Sequence, residues 1–183
     1  MSEIAPHQLV TFDEILPHWA AEQPDAPAIE DGGLAVSYGE LEPLSRRVIA
    51  WLAARGIGAG ERVAFLGKNA ASYGVLYCAC ARAGVVIAPI GWRLAAREIA
   101  YILADTEAKL LVATPDFMEL AGKAMAELDN APELIADGAM LEEARGCDPA
   151  DYTPCGAGDP ILQLYTSGTT GHPKGVLLSN ANL

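Results

Sequence analysis

The sequence predicts an α/β domain: a largely parallel sheet flanked by helices. Three observations lead there. Helix-like and strand-like segments alternate along almost the whole chain, which is the pattern of parallel strands joined by helical crossovers. Residues that start and stop helices stand at the joins, as with Ser37 and Glu40 before one apolar periodic stretch and Gly56 after it. The long apolar stretch from Val75 to Trp92 carries Arg82 near its middle and is broken by Gly84 and Pro89, so it reads as a buried helix running into a buried strand and not as a membrane span.

In order, Thr11 to Gln23 is a helix closed by Pro24, with Leu16, Trp19 and Ala20 inward at helical spacing. Ala28 to Glu30 and Leu34 to Ser37 form a short hairpin around Asp31-Gly32-Gly33. Ser37 caps a helix that ends near Arg55-Gly56, with Glu40 completing a capping box. Next come Arg62 to Leu66 as strand, Asn69 to Arg82 as helix and Val85 to Pro89 as strand. Ala95 to Ala104 follows as helix, Lys109 to Val112 as strand and Pro115 to Glu127 as helix. Asp129 to Asp159, rich in Gly, Pro, Asp and Ala, reads as a surface excursion with a weak strand at Leu134 to Ala136 and a short helix around Met140 to Ala144. Ile161 to Tyr165 and Val176 to Leu178 are the last strands.

Composition excludes several classes. A chain of 183 residues that is 51% hydrophobic buries a real core and is not disordered. Its formal net charge of -12, from 24 acidic against 12 basic residues, argues against nucleic acid or anionic membrane as a partner. Arg46-Arg47 is an isolated pair read as a solvated helix face. Cys78, Cys80, Cys147 and Cys155 show no C-x-x-C pair and no His partner at metal-ligand spacing, so they read as free thiols. With no secretory signal pattern after Met1-Ser2-Glu3 and no transmembrane segment, the expected location is cytoplasmic. Gly56-Ile57-Gly58-Ala59-Gly60 lacks the G-x-G-x-x-G spacing and precedes a strand, so it is a helix stop and turn. His7 and His18 have no catalytic or metal-binding neighbour in sequence.

The chemistry is concentrated in Leu164 to Val176. Thr166, Ser167, Thr169 and Thr170 supply hydroxyls, Gly168, Gly171 and Gly175 let backbone N–H groups approach closely, and Lys174 supplies a compact positive charge behind Pro173. That inventory suits a polyphosphate. It is not a Walker A loop, because Pro173 stands before the lysine and the flanking runs read as strands. An unrelated NTPase is therefore disfavoured.

The ordered run Tyr165-Thr166-Ser167-Gly168-Thr169-Thr170-Gly171-His172-Pro173-Lys174-Gly175 resembles the phosphate-binding signature of the adenylate-forming superfamily, which includes acyl-CoA synthetases, peptide-synthetase adenylation domains and luciferases. Val36-Ser37-Tyr38-Gly39-Glu40-Leu41 is similar to the family's early Tyr-x-Glu-Leu element, and Arg82 to Leu94, continuing from Glu98 to Leu103, is similar to a further family element. The Trp92-Arg93-Leu94 form is most like that of acyl- and aryl-CoA synthetases. Two positions depart from the pattern: Gly91 stands where many CoA ligases have Asn, and Asn180 stands where members usually have His.

The resemblance implies that residues 1–183 are the N-terminal part of an AMP-binding domain, lacking the rest of the large domain and the small domain with its catalytic lysine. No catalytic residue is then expected in this stretch, and the piece alone is expected to be inactive. It implies an acid–thiol ligase that uses ATP, Mg²⁺ and CoA to activate a carboxylic acid, as in fatty acid metabolism, through an acyl-adenylate. Thr166, Ser167, Gly168, Thr169, Thr170 and Gly171 would wrap the phosphates, Lys174 would offset charge on departing pyrophosphate, and Thr169 or Thr170 would assist Mg²⁺. Two alternatives stand beside this: a piece of an amino-acid adenylation domain, and an inactive truncated module with a structural role and self-association into a homo-oligomer.

Overall fold

Strand β3 (Arg62–Leu66) shows how the chain builds its core, because successive side chains go to opposite sides. Val63 and Phe65 enter one apolar cluster and Ala64 and Leu66 another. Strand β5 (Leu110–Ala113) does the same, with Leu110 and Val112 on one side and Leu111 and Ala113 on the other. Unbroken apolar strands of this kind require helices on both faces of a sheet.

The computed structural model describes residues 11–32, 34–166 and 173–182, with the backbone alone at residue 34. Helix α1 (Phe12–Glu22) precedes a hairpin of β1 (Pro27–Asp31) and β2 (Leu34–Ser37), which is followed by α2 (Tyr38–Ala54) and then β3. The chain continues through α3 (Ala71–Ala83), β4 (Val86–Ile90), α4 (Ala96–Thr106), β5, a 3₁₀ turn at Pro115–Phe117 and α5 (Met118–Met125). Strand β6 (Glu133–Ala136), α6 (Asp137–Arg145), β7 (Pro160–Thr166), β8 (Lys174–Ser179) and a 3₁₀ turn at Asn180–Asn182 complete it. The hairpin is antiparallel, and six strands form a second sheet in the order β6-β5-β3-β4-β7-β8. All neighbours in that sheet are parallel except β7 and β8.

The expected fold class is the observed one. Side chains of α1, α2, α3 and α6 fill the larger cluster, with Trp51, Leu76 and Met140 among those fully buried, while Ile99, Ile102 and Leu103 of α4 and Ala121 of α5 fill the other. The capping box read at Ser37 is present: the Ser37 Oγ accepts from Glu40 N at 3.3 Å, and the Glu40 carboxylate accepts from Ser37 N at 2.9 Å. Gly56 and Gly60 adopt φ of +69° and +83°, so the glycine run is the helix stop and turn that its spacing indicated. The Cys78 thiol is half-buried and that of Cys80 fully buried, and all four cysteines are free.

Three readings change. Residues 129–159 are not only a surface excursion: β6 pairs in parallel with β5 from Leu110↔Glu133 to Ala113↔Ala136, and Met140 and Ala144 of α6 are fully buried. The polar composition there belongs to the joins around these two short elements. Arg46 and Arg47 do not form a solvated face either. Arg46 pairs with Asp151 at 2.9 Å and donates to the Ala150 carbonyl, while Arg47 donates to the carbonyls of Arg145 and Cys147, so both hold the segment after α6 against α2. Finally, α3 begins at Ala71 and not Asn69, because its first free N–H is taken by Asp31 of the hairpin at 3.1 Å and not by a neighbouring side chain.

Candidate functional site

Strands β3, β4 and β7 point their carboxyl ends the same way, which collects the loops after Leu66, Ile90 and Thr166 along one edge of the sheet. In open α/β sheets ligands bind at this edge, where connections leave toward opposite faces. Here the loop after β3 leads to α3 on one face and the loop after β4 leads to α4 on the other. The chain places its candidate phosphate residues beside that divergence. Continuing the register Ile87↔Leu162, Gly91 lies level with Thr166.

Of the residues singled out in the sequence, Thr166 and Lys174 are described, and both are exposed. Ser167, Gly168, Thr169, Thr170, Gly171 and His172 lie outside the described residues. Thr166 ends β7 and Lys174 begins β8, and the two are direct cross-strand partners. Lys174 is therefore on a strand, not within the loop. Partners in an antiparallel pair send their side chains to one face with Cα atoms about 4.5–5.5 Å apart, so a hydroxyl and an ammonium stand together at the loop mouth.

The ladder reaches that far because Gly175 lies over Tyr165. A Cβ at Gly175 would come within 2.5 Å of Gln163 Nε2 and 3.2 Å of Tyr165 Oη, a close approach that only glycine permits. Beneath it runs a polar chain that sequence reading missed. Gln163 Nε2 donates to Tyr165 Oη at 3.0 Å, Tyr165 Oη donates to Asp105 of α4 at 2.5 Å, and Tyr101 Oη of the same helix donates to the Pro173 carbonyl at 3.4 Å. Burial, the hydrogen bond to Asp105 and that carboxylate's charge all hold the Tyr165 phenol above its ordinary pKa, so it stays a donor.

The same edge is rich in cations for so acidic a chain. Lys68 Nζ lies 5.3 Å and the Arg93 guanidinium 4.1 Å from the Trp92 ring centre. Among the described residues, Lys68, Arg93 and Lys174 have no carboxylate partner, whereas Arg55, Arg97, Lys109 and Lys123 are all ion-paired. The turn at Gly91 is closed by the backbone, with Leu94 N donating to the Gly91 carbonyl at 3.0 Å, so the missing Asn leaves it intact.

Asn180 lies elsewhere. It is buried just past the far end of β8, where its amide bridges Phe12 N and the Ala81 carbonyl, and the strand between it and Lys174 is about 16 Å long at the usual rise. His18 sits edge-on against Trp19 and takes no part in the site. A cavity of about 780 Å³ lies at the opposite edge, and its cations are already spent: Arg55 on Glu133 and Glu143, Lys109 on Glu61. Among the described residues no cluster of three or more His, Cys, Asp or Glu side chains is placed to hold a metal ion. No helix among them is long and apolar enough to cross a membrane.

The class of protein is thus an α/β fold with helices on both faces of a mostly parallel sheet, carrying at its carboxyl edge a hydroxyl beside a lysine that has no carboxylate partner among the described residues. The AMP-binding enzyme family matches residues 16–183, and this chain belongs to that family. It is 35% identical over 177 residues to the fatty acid–[acyl-carrier-protein] ligase ScoC of Streptomyces coeruleorubidus, covering 94% of this chain and 34% of that protein. It is 39% identical over 165 residues to a feruloyl-CoA synthase of an Amycolatopsis species, covering 90% of this chain and 32% of that protein. Among solved structures, the inhibitor-bound N-terminal domain of FACL13 from Mycobacterium tuberculosis superposes with a TM-score of 0.84 at 29% identity, over 94% of this chain and 45% of that one. The chain thus spans about a third of the length of the curated relatives it matches.

Proposed function

We propose that this chain forms the first part of the nucleotide-binding domain of an ATP-dependent acid–thiol ligase, an acyl-CoA synthetase, and contributes its polyphosphate grip. The observation that carries this reading is the pairing of Thr166 with Lys174 at the carboxyl edge, with no carboxylate on Lys174 among the described residues. A lysine meant for folding would be expected to sit in an ion pair, as Lys109 and Lys123 do.

In the proposed reaction a substrate carboxylate attacks the α-phosphorus of ATP, the bond to the bridging oxygen breaks, and pyrophosphate leaves; the thiol of CoA then displaces AMP. No protein nucleophile is required, so the chain's task is to position phosphates and balance their charge. Thr166, Ser167, Gly168, Thr169, Thr170 and Gly171 donate hydroxyl and backbone hydrogen bonds to the phosphate oxygens. Lys174 offsets charge building on the leaving pyrophosphate. Mg²⁺ fits this donor set, which is hydroxyl oxygen with no soft ligands, and the Thr169 or Thr170 hydroxyl would hold it; when bound it neutralises phosphate charge. Four free thiols accord with a reducing, cytoplasmic setting. The acid itself is open, with fatty and aromatic acids favoured by the Trp92-Arg93-Leu94 form over amino acids.

The test is Lys174→Ala in the ligase that carries this segment. A charge-assisted contact is worth about 1.5–3 kcal/mol, so ATP–pyrophosphate exchange slows at least about tenfold; an unchanged rate removes the loop from the mechanism. The 183-residue chain by itself turns nothing over and binds ATP with a dissociation constant weaker than about 10 μM. A second reading, a structural module that self-associates, is favoured by one observation. Among the described residues the exposed large apolar side chains, Leu164, Val176 and Leu177, all lie on β7 and β8. Light scattering over a concentration series decides it, since a strict monomer leaves it without support.

A further inference from the structure

Lys174 faces the same side as Thr166 only in the observed register, because a slip of one residue in a β-ladder turns every side chain to the other face. Something must fix that register at the loop mouth, where the strands end. The ladder is not regular throughout, for it already shifts between Pro160 and Leu162 at its other end. Two side chains of α4, Tyr101 and Asp105, stand one turn apart on one helix face and each reaches a different strand stem. Asp105 accepts from Tyr165, the residue before Thr166, and Tyr101 donates to the carbonyl of Pro173, the residue before Lys174.

We infer that α4 is a two-point clamp whose Asp105–Tyr165 and Tyr101–Pro173 hydrogen bonds set the register of Thr166 and Lys174 for phosphate binding. The inference rests on the polyphosphate reading of that pair. Asp105, Tyr101 and Tyr165 are positioning residues, since they act through Thr166 and Lys174. Gly175 belongs to the same device, because its missing Cβ is the space in which Tyr165 Oη and Gln163 Nε2 meet. The helix delivering the clamp is itself fixed: Ile99, Ile102 and Leu103 are fully buried against the sheet, and its first turn is closed by the Glu98 carboxylate on Ala95 N at 2.7 Å.

The experiment uses the 183-residue chain with inorganic pyrophosphate and Mg²⁺ as the probe, followed by ³¹P NMR titration, alongside hydrogen exchange of the amides at 164–166 and 174–176. Asp105→Ala and Tyr165→Phe each weaken pyrophosphate binding by about tenfold, and the double variant is no weaker than either, because both remove one shared contact. Asp105→Asn keeps an oxygen that accepts from the phenol and restores affinity, which a merely structural need for charge would not allow. Exchange at the two stems speeds up in Asp105→Ala while that of β3 stays as it was. Additive losses in the double variant, or Asp105→Asn as weak as Asp105→Ala, overturn the clamp. Lys174→Ala separates the two levels. If it weakens binding while the α4 variants match the unaltered chain, the clamp alone is wrong; if it has no effect, the polyphosphate reading is wrong whatever α4 does.

Discussion

Replacing Arg82 by Met tests the energetics of this fold most directly. The side chain is 2% exposed and gathers four others: its Nη2 lies 3.1 Å from Glu42 Oε1, its Nη1 donates to Ser45 Oγ at 2.6 Å, its Nε lies 3.6 Å from Asp13, and its guanidinium sits 5.2 Å from the Tyr152 ring centre. Tyr152 in turn donates to Asp13. Removing one partner of a buried ion pair costs about 3–5 kcal/mol, chiefly because the charge left behind is unpaired. Here the stranded carboxylates of Asp13 and Glu42 are 24% and 23% exposed and can take up water, which places the loss at the lower end, about 3 kcal/mol. Methionine keeps the apolar stem, so cavity formation adds little. For a domain of this size, about 3 kcal/mol lowers Tm by roughly 6–12 °C. Urea unfolding followed by circular dichroism reads the same loss as a lower midpoint at unchanged slope. A loss below about 1 kcal/mol would mean that the network is hydrated and that Arg82 does not tie α1 and α2 to α3.

Three further outcomes follow from particular side chains. Gly175→Ala puts a methyl 2.5 Å from Gln163 Nε2, so the Tyr165–Asp105 contact is displaced and pyrophosphate affinity falls as it does in Tyr165→Phe; equal affinity would mean that the strands shift without consequence. At pH 8 a thiol reagent labels Cys147 quickly and leaves Cys78, Cys80 and Cys155 until urea is added, because burial pushes the Cys78 thiol up to about 11 and raises Cys80 and Cys155 as well. Four fast thiols would contradict the packing of α3. The hydrogen bond from the Trp51 indole, and then Arg55, holds the Glu143 carboxyl below its ordinary 4.5. A depressed folded value gives stability that is present above the unfolded pKa and lost as pH falls through the folded one, so Glu143→Gln flattens the decline in urea midpoint below about pH 4.5. An unaltered decline shows the contact to be without weight.

Local signals were legible wherever a single stretch of chain determines the outcome. Ser37 with Glu40 gives the start of α2, Gly56 gives its end, and apolar runs give β3, β4 and β5 within a residue. Lys174 and Thr166 stood out as chemistry because hydroxyls, glycines and an ammonium gathered in one ordered stretch suit a polyphosphate, which is the role proposed for them. What stayed hidden depends on residues far apart. Asp31 caps α3 from 40 positions away, Arg46 and Arg47 spend their charge on a segment 98 to 105 positions on, and Asp105 meets Tyr165 across 60 positions. Strand β6 was underrated because only its pairing with β5, not its own polar flanks, makes it part of the sheet. Gln163 gave no signal at all: a lone amide in an apolar strand looks like an exposed position until Gly175, the cross-strand partner of Tyr165, proves to leave the space that the amide fills.

The position of the clamp is a consequence of handedness. From β3 the chain moves to β4 through α3 on one face, then reverses direction and crosses back over β3 to reach β5. Parallel crossovers are right-handed, so reversing direction forces the connecting helix, α4, to the opposite face. Strand β7 later returns beside β4, and the side chain of Tyr165 falls on the α4 face, in the same apolar cluster as Ile99 and Leu103. The reversal that opens the carboxyl edge for a ligand is thus the step that brings Asp105 and Tyr101 under the strands that carry Thr166 and Lys174. A chain that continued β3-β4-β5 in one direction would leave α4 on the α3 face, and the phenol of Tyr165 without its acceptor.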